Sequence, residues 1–539
     1  MGYKDEPDFN NEGKPILRRT TPLHLMTRGD LPKTHADNHT ARDLFNVYDR
    51  FDVNYIDEFG LTHFHVACRY GCEDVVEKFL ELGQDPNLLV LKINDSPLLL
   101  ALNWRHKQVA ELLLRRGADP NLPNVNGLTP LHVTCQTNDG GDLMKFFFNI
   151  NDKLNHQVQV NFQDKFGNTP LHFAVHYDDE ETVKFLLRRG ADPNRRNAVR
   201  STPLHLICHS QNNDDLARLF FKMNEELNQL VQVNAADNYG RTPLQLAVFY
   251  LRLDIIDLLI KKGADLSSFV FPTDIYCGQK IEPPEHRRRI NYKLRLASGV
   301  VLIVERLKKS GYGLDRGNIL TIMNLIAKHG LFEKSAFVER RLFVDVELAT
   351  EAKKLMVKPD LSLYDLIRLP PEKARKRVTF QEYFDFSRSS KFCISYQEDC
   401  VVHLCEKVTR EFFRDYVLNS FWELIHYRVP SLCCDMILDN LNNEDLYNIY
   451  LAASQPSHEE SENKNDLTGN CNKITNLYKQ EEGSRREIYK AWTFRTHRYL
   501  SSNAHTSATA GTGRTCSRLL YIHIHTTYTC SRRCGGGGG

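Results

Sequence analysis

Between residues 20 and 265 the apolar positions of this 539-residue chain come in short bursts that return on a regular beat. In the clearest burst Leu171 and Ala174 stand three apart, and Val183, Leu186 and Leu187 follow at helical spacing. The pattern predicts two short helices, each apolar along one face. Thr169 is suited to cap the free amides of the first, and Pro170 to its first turn, where a missing N–H costs nothing. Gly190 fits the left-handed position that ends the second helix, and Asp192-Pro193-Asn194 turns the chain outward. The opening Ser/Thr-Pro-Leu-His, or a near relative, returns at Thr21, Thr62, Ser96, Thr129, Thr169, Thr202 and Thr242, at intervals of 41, 34, 33, 40, 33 and 40 residues. Related endings recur at Gly83, Gly117 and Gly263.

One such helix pair cannot bury its apolar face, but a stack of them can, so the repeats must form a continuous solenoid. A period near 33 with T-P-L-H-x-A is identified as an ankyrin-repeat array, here six to seven helix pairs over residues 21–268. The first pair is complete or partial: Pro32 follows Thr21-Pro22-Leu23-His24, and its second helix, around Leu44, Phe45 and Tyr48, arrives late. Residues 1–20 are expected to be a disordered leader. The long repeats insert seven residues after the second helix begins, enough to lengthen it by about 10 Å. Thr129 to Thr202 and Thr169 to Thr242 both span 73 residues, so the repeating unit is a pair of repeats.

The recurring His24, His132, His172 and His205 each hold the same place in their own repeat. They are scaffold groups bonding to the neighbouring turn, because successive repeats keep the rings too far apart to share a metal at about 2 Å. The residue before the hairpin glycine is aromatic in three repeats: Phe59, Phe166 and Tyr239. These rings either anchor a target protein on the concave face or pack on adjacent hairpins.

After Asp265 the phrase stops. Pro272, Pro283, Pro284 and Arg287-Arg288-Arg289 mark a linker, the basic triplet being a surface turn or a nuclear address. Residues 269–355 are read as linker and connecting helices, with Leu296, Val300, Val304 and Leu307, then Ile319, Ile322, Met323 and Ile326, at helical spacing. A separate helical domain is expected over 356–453. Near its end Cys433, Ile437 and Leu441 recur every four residues, Pro430 opens a helix, and Asp445 begins another before Leu446.

The pattern around Val429-Pro430, Ile437-Leu438, Leu441 and Asp445-Leu446 resembles the opening of an F-box. An ankyrin array followed by such a segment resembles the ankyrin–PRANC proteins of poxviruses and parasitoid wasps. The resemblance covers about residues 20–453, with Tyr364, Phe412-Phe413 and Phe421-Trp422 as further context. It implies that the array holds a target protein while the F-box-like helices dock a Skp-type adaptor of a cullin–RING ubiquitin ligase. By position, Pro430, Ile437, Leu438, Leu441 and Leu446 would line that adaptor interface. Val429 stands where Leu is usual and Leu432 where Glu is common, and the segment ends too soon for a full three-helix F-box. The alternatives are a closing helix pair with no docking role, and an ankyrin scaffold or decoy with no ligase link.

Charge adds little: 70 Lys and Arg against 68 Asp and Glu leave a net +2, which points to neither nucleic acid nor membrane as a specific partner. The N-terminus shows no apolar signal-peptide core, and the 14 scattered cysteines are read as reduced thiols, so the cytosol or nucleus is expected. Cys393, Cys400, His403 and Cys405 match no common zinc spacing. No phosphate loop, nucleophile elbow or His-Glu-x-x-His is present, so neither catalysis, cofactor nor metal is expected. Residues 454–539, rich in Ser, Asn and basic groups and ending in five glycines, are expected to be a disordered tail.

Overall fold

The computed structural model describes residues 4–27, 38–90, 95–137, 139–210, 214–275, 286–332, 338, 342, 344–389, 397–425, 427 and 431–454. The chain divides into two compact units, Met1–Val270 and Phe271–Gly539. The tail expected beyond residue 454 lies outside the described residues.

The first unit stacks seven helix pairs among its described residues, from α1 (Pro22–Thr27) and α2 (Asn38–Val47) to α13 (Pro243–Phe249) and α14 (Leu253–Lys261). Where the opening phrase carries Thr and His, the Thr is an N-cap whose partner is the His three residues on. The Thr169 N–H donates to His172 Nδ1 at 3.1 Å, and the Nε2 of the same ring meets the Ser201 carbonyl of the next repeat at 3.2 Å. His65, His132 and His205 make the same reach, to Leu88, Asn168 and Arg241. An Nδ1 that accepts from an amide and an Nε2 that faces a carbonyl require the neutral ring with its proton on Nε2. In the last repeat Gln245 substitutes for His: its Oε1 accepts from Thr242 N–H and its Nε2 donates to Val270. His63, where proline is usual, has its buried ring against His24, Phe45, Tyr48 and Tyr55, with Nε2 at 2.7 Å from Thr21 Oγ1.

A second ladder stitches the repeats at the other end. Asn161 donates to the Gly190 carbonyl at 3.0 Å and accepts from Asp192 N–H at 2.8 Å. Asn87, Asn121, Asn194 and Asn234 repeat this two-bond clasp. Asn161→Ala should lower stability by about 1–3 kcal/mol, since two backbone groups lose a partner. Native-state hydrogen exchange checks it, with the Asp192 amide expected to exchange faster while Asn87-linked amides stay unchanged.

The long repeats differ from expectation in how they use their insertion. Helix α8 (Asp142–Lys153) has 12 residues against nine in α10 (Glu180–Arg188), and α12 (Asp214–Glu226) has 13. Three or four extra residues add only about 5 Å of helix. In α8 the rest delay its start and lengthen its exit, because Asn155 takes a left-handed φ of 55° and stops it. Asn228, 73 residues on, does the same. The paired-repeat period is real in three dimensions. Arg189 stacks on Phe148 and pairs with Asp152, and Lys262, also 73 residues later, stacks on Phe221 and pairs with Glu225.

The leader departs from the disorder expected of residues 1–20. Arg18 bridges to Ile56, Arg19 N–H donates to Ile56 at 3.0 Å, and Ile56 N–H donates to Leu17 at 2.8 Å. Asp5, buried, accepts from the Tyr55 hydroxyl at 2.8 Å and pairs with Arg19 at 3.1 Å. Burial, with Asp5 beside it, pushes the Tyr55 phenol up to about 12. A polar segment is ordered here because the first repeat offers its buried polar groups partners.

The second unit is built on long helices, α15 (His286–Lys309) and α16 (Arg316–Lys328), joined after α17 (Val346–Lys354) by a two-stranded hairpin. That hairpin, β1 (Met356–Lys358) with β2 (Leu361–Ser362), is antiparallel around Pro359-Asp360 and is an addition to the helical domain expected there. Then come α18 (Leu363–Arg368), α19 (Pro371–Arg377), α20 (Phe380–Arg388), α21 (Gln397–Leu424), α22 (Ser431–Leu438) and α23 (Asn443–Ser454). Helix α21 packs against α15 and α23, burying Val300, Ile303, Leu307, Leu404, Phe413, Leu446 and Tyr450.

Candidate protein interface

Between repeats the chain makes hairpin fingers, each held by one side chain. Asp164 Oδ1 accepts from the N–H groups of Phe166 (2.9 Å) and Asn168 (2.7 Å). Asp57, Asn124, Asn197 and Asp237 do the same in their own fingers. The residue two beyond this anchor is the tip: Phe59, Asn126, Phe166, Val199 and Tyr239. Backbone bonds join successive tips directly, Ala198 N–H to Phe166 at 2.8 Å and Asn238 N–H to Val199 at 3.0 Å. Glycine after Phe166 is required twice over: Gly167 has φ +72°, and an added Cβ would stand 2.6 Å from the Ala198 nitrogen.

Four of these five tips are apolar and open to solvent. Phe59 is 38% exposed, Phe166 67%, Val199 44% and Tyr239 73%. Packing on neighbouring hairpins therefore takes up the smaller part of the Phe166 and Tyr239 surfaces. Val199 escapes the sequence criterion because Arg200, with φ 59°, stands where the other tips have glycine. Counting two residues on from the Asp or Asn anchor finds it. Apolar groups fixed on rigid turns lose little entropy on binding, which is what an interface anchor needs.

A second feature leaves no signal in the sequence. The ends of α9 (Pro170–His176), α11 (Pro203–His209) and α13 carry rings that lie together: His176 against Tyr177, and His209 and Phe249 against Tyr250 at 4.6 and 4.9 Å. Burial, then the neighbouring His176 and Arg241, hold the His209 imidazole below its usual range.

In the second unit the five residues expected at an adaptor interface separate. Pro430 lies outside the described residues. Leu438 and Leu446 are fully buried, which corrects their assignment to a docking surface. They face α21, where Arg410 donates to the Leu438 carbonyl at 2.6 Å and Asn443 donates to Glu406 and Thr409. Ile437 and Leu441 are half-buried, as is Cys433, and Met436 beside them is 53% exposed. Helical periodicity expects Ile437 and Leu441 on one face, but α22 ends at Leu438 and Leu441 lies in the turn beyond it; nor can periodicity say that Leu438 and Leu446 face the core.

The polar groups of this unit serve packing. His403 Nε2 lies 3.2 Å from the Ile367 carbonyl and Lys407 Nζ donates to it at 2.6 Å, together closing the end of α18. Burial pushes the His403 ring down to about 4. Among the described residues no three His, Cys, Asp or Glu side chains gather as a metal site, and no helix is long and apolar enough to cross a membrane.

Stacked helix pairs that present apolar fingertips define an interaction protein, whose work is to hold another protein. Residues 31–124, 98–197 and 195–269 match the family of ankyrin repeats. An ankyrin repeat protein of fowlpox virus is 30% identical over 296 residues, covering 48% of this chain and 84% of that protein. The chain belongs to the ankyrin-repeat proteins. The transient receptor potential cation channel subfamily A member 1 is also similar: 31% identical over 172 residues in Drosophila melanogaster and 29% over 271 in Homo sapiens. These matches cover 31% and 49% of this chain but span only 14% and 22% of the channels' own lengths.

Proposed function

We propose that this chain is a non-enzymatic adaptor of the cytosol or nucleus. Its ankyrin array holds a target protein, and its C-terminal helices dock a Skp-type adaptor of a cullin–RING ubiquitin ligase. The observation that carries the target-binding half is the row of exposed apolar tips, Phe59, Phe166, Val199 and Tyr239, on a hydrogen-bonded scaffold. The ligase half is supported by the F-box-like phrase around Pro430, by half-buried Ile437 and Leu441 beside exposed Met436, and by similarity to a poxvirus ankyrin protein.

The test is recovery of a purified Skp-type adaptor on the immobilised full-length chain. Ile437→Asp with Leu441→Asp should reduce recovery by about tenfold or more, because each places a charge where an apolar contact is desolvated. Undiminished recovery would reject Ile437 and Leu441 as the docking surface, and no recovery by the unaltered chain would reject the ligase link. A second role, a scaffold or decoy without a ligase, is favoured by the burial of Leu438 and Leu446, which takes two of the five expected docking residues into the core. It predicts target binding by the array and no adaptor recovery by the unaltered chain.

A further inference from the structure

The fingers are not electrically alike. The third, residues 121–128, has no charged residue, and the charges of the first, residues 53–61, are Asp57 and Glu58. The fourth to sixth, residues 157–168, 190–201 and 231–241, carry Lys165, Arg195, Arg196, Arg200 and Arg241 against Asp164, Asp192 and Asp237. Those three carboxylates are engaged by backbone amides at 2.7 to 2.9 Å, and Asp164 and Asp237 are buried. Lys165, Arg195, Arg200 and Arg241 are exposed. The Arg241 guanidinium pairs with Asp237, stays 47% exposed, and lies 4.6 Å over the Tyr239 ring. These are the same three fingers whose tips Phe166, Val199 and Tyr239 are joined by backbone bonds.

We propose that the fourth to sixth fingers recognise an acidic protein segment with apolar side chains spaced along it. Apolar groups would seat on Phe166, Val199 and Tyr239, and carboxylates would meet Lys165, Arg195, Arg200 and Arg241. This rests on the target-binding role of the array and specifies its partner. Charge complementarity carries the choice: four exposed cations stand in the three fingers that bear the apolar tips, and the carboxylates of those fingers are engaged by the turns. A single-stranded nucleic acid fits less well. It needs a ring at each stacking step, and the middle tip is a valine. Lys165, Arg195 and Arg200 extend from the turns with exposed cationic ends, and a guanidinium binds a carboxylate with two parallel N–H groups.

Fluorescence anisotropy with the full-length chain tests this with three labelled probes. They are a peptide alternating Glu pairs with Leu, the same peptide with Lys for Glu, and an oligouridylate. The Glu peptide should bind, with affinity falling steeply as salt rises, while the other two bind at least roughly tenfold more weakly. Lys165→Glu with Arg200→Glu should weaken the Glu peptide about tenfold, as should Phe166→Ser with Tyr239→Ser, with melting unchanged because these side chains are exposed. Equal binding of the Lys peptide or the oligouridylate, or indifference to the charge reversal, overturns the proposal. A protein target whose capture requires Phe166 and Tyr239 but ignores the charge reversal also overturns it, and leaves the adaptor role standing. A chain that captures no protein target removes both.

Discussion

Below pH 6.5 the ankyrin array should lose stability steeply, with most of the loss complete by about pH 4. Burial lowers the imidazole pKa values of His65 and His172 to about 4, from the ordinary 6.5, and holds His63, His132 and His205 below their usual range. The geometry adds a second cause. In His65, His132, His172 and His205 a further proton would go on Nδ1, which already faces the N–H of the capping threonine. The folded pKa is depressed, so the unfolded chain binds more protons throughout this window, and stability is present above 6.5 and lost as pH falls. A tenfold change in proton affinity corresponds to about 1.4 kcal/mol, so His65 and His172 each contribute on the order of 3 kcal/mol across the window. Urea unfolding from pH 7 to 4, followed by hydrogen exchange in array peptides, measures it. The chain contains its own control. Gln245 makes the same two bonds without titrating, so His172→Gln should keep stability at pH 7 and flatten the acid limb. An unchanged slope in that variant would show that the histidine straps are not the acid-sensitive groups.

Phe220→Ala should cost about 3–5 kcal/mol, and Phe147→Ala a similar amount. Both rings are fully buried, and both stand at the same place in the long second helices, 73 residues apart. Each carbonyl also accepts from a buried asparagine one turn on, Asn151 at 2.8 Å and Asn224 at 2.7 Å, so the surrounding backbone is held and relaxes poorly into the cavity. In a solenoid each repeat contacts only its neighbours, so the two losses should add and the double variant should unfold in more than one step. Equilibrium unfolding followed by circular dichroism distinguishes this from a single shifted transition. A loss under about 1 kcal/mol would mean that the long repeats are loosely packed.

Much of the array is legible because its signals are local. Thr, Pro and His lie within four residues of one another, and the capping box they form needs nothing from outside its own repeat. Asn194 and its counterparts read as turn formers, which they are, but their clasp on the next repeat reaches about one repeat ahead and leaves no mark in a short window. The leader shows the same limit. Asp5 sits in an ordinary polar stretch, and only Tyr55 and Arg19, brought to it by the fold, make it a buried group. Val199 is missed when glycine serves as the landmark of a fingertip, whereas the structural landmark is the Asp or Asn side chain that accepts two amides.

In the C-terminal unit the division is sharper. The sequence pattern places two helices here, and α22 and α23 are found, but α22 stops at Leu438, so Leu441 stands in the turn after it and does not continue the face of Cys433 and Ile437. Spacing defines which residues share a face, yet not which face meets the core. That phase belongs to α21, whose Arg410 donates to the Leu438 carbonyl and whose Thr409 accepts from Asn443, while Leu438 and Leu446 are buried and Met436 stays exposed. By itself, then, the chain's sequence determined the repeats, their caps, their turns and the 73-residue pairing, all written in hydrogen bonds and backbone preferences that act over a few residues. The tertiary structure decided which apolar side chains stay exposed: Phe166, Val199 and Tyr239 at the fingertips, and Met436 in the C-terminal unit. Exposure is what is left after packing, and packing is settled by neighbours a whole repeat or more away.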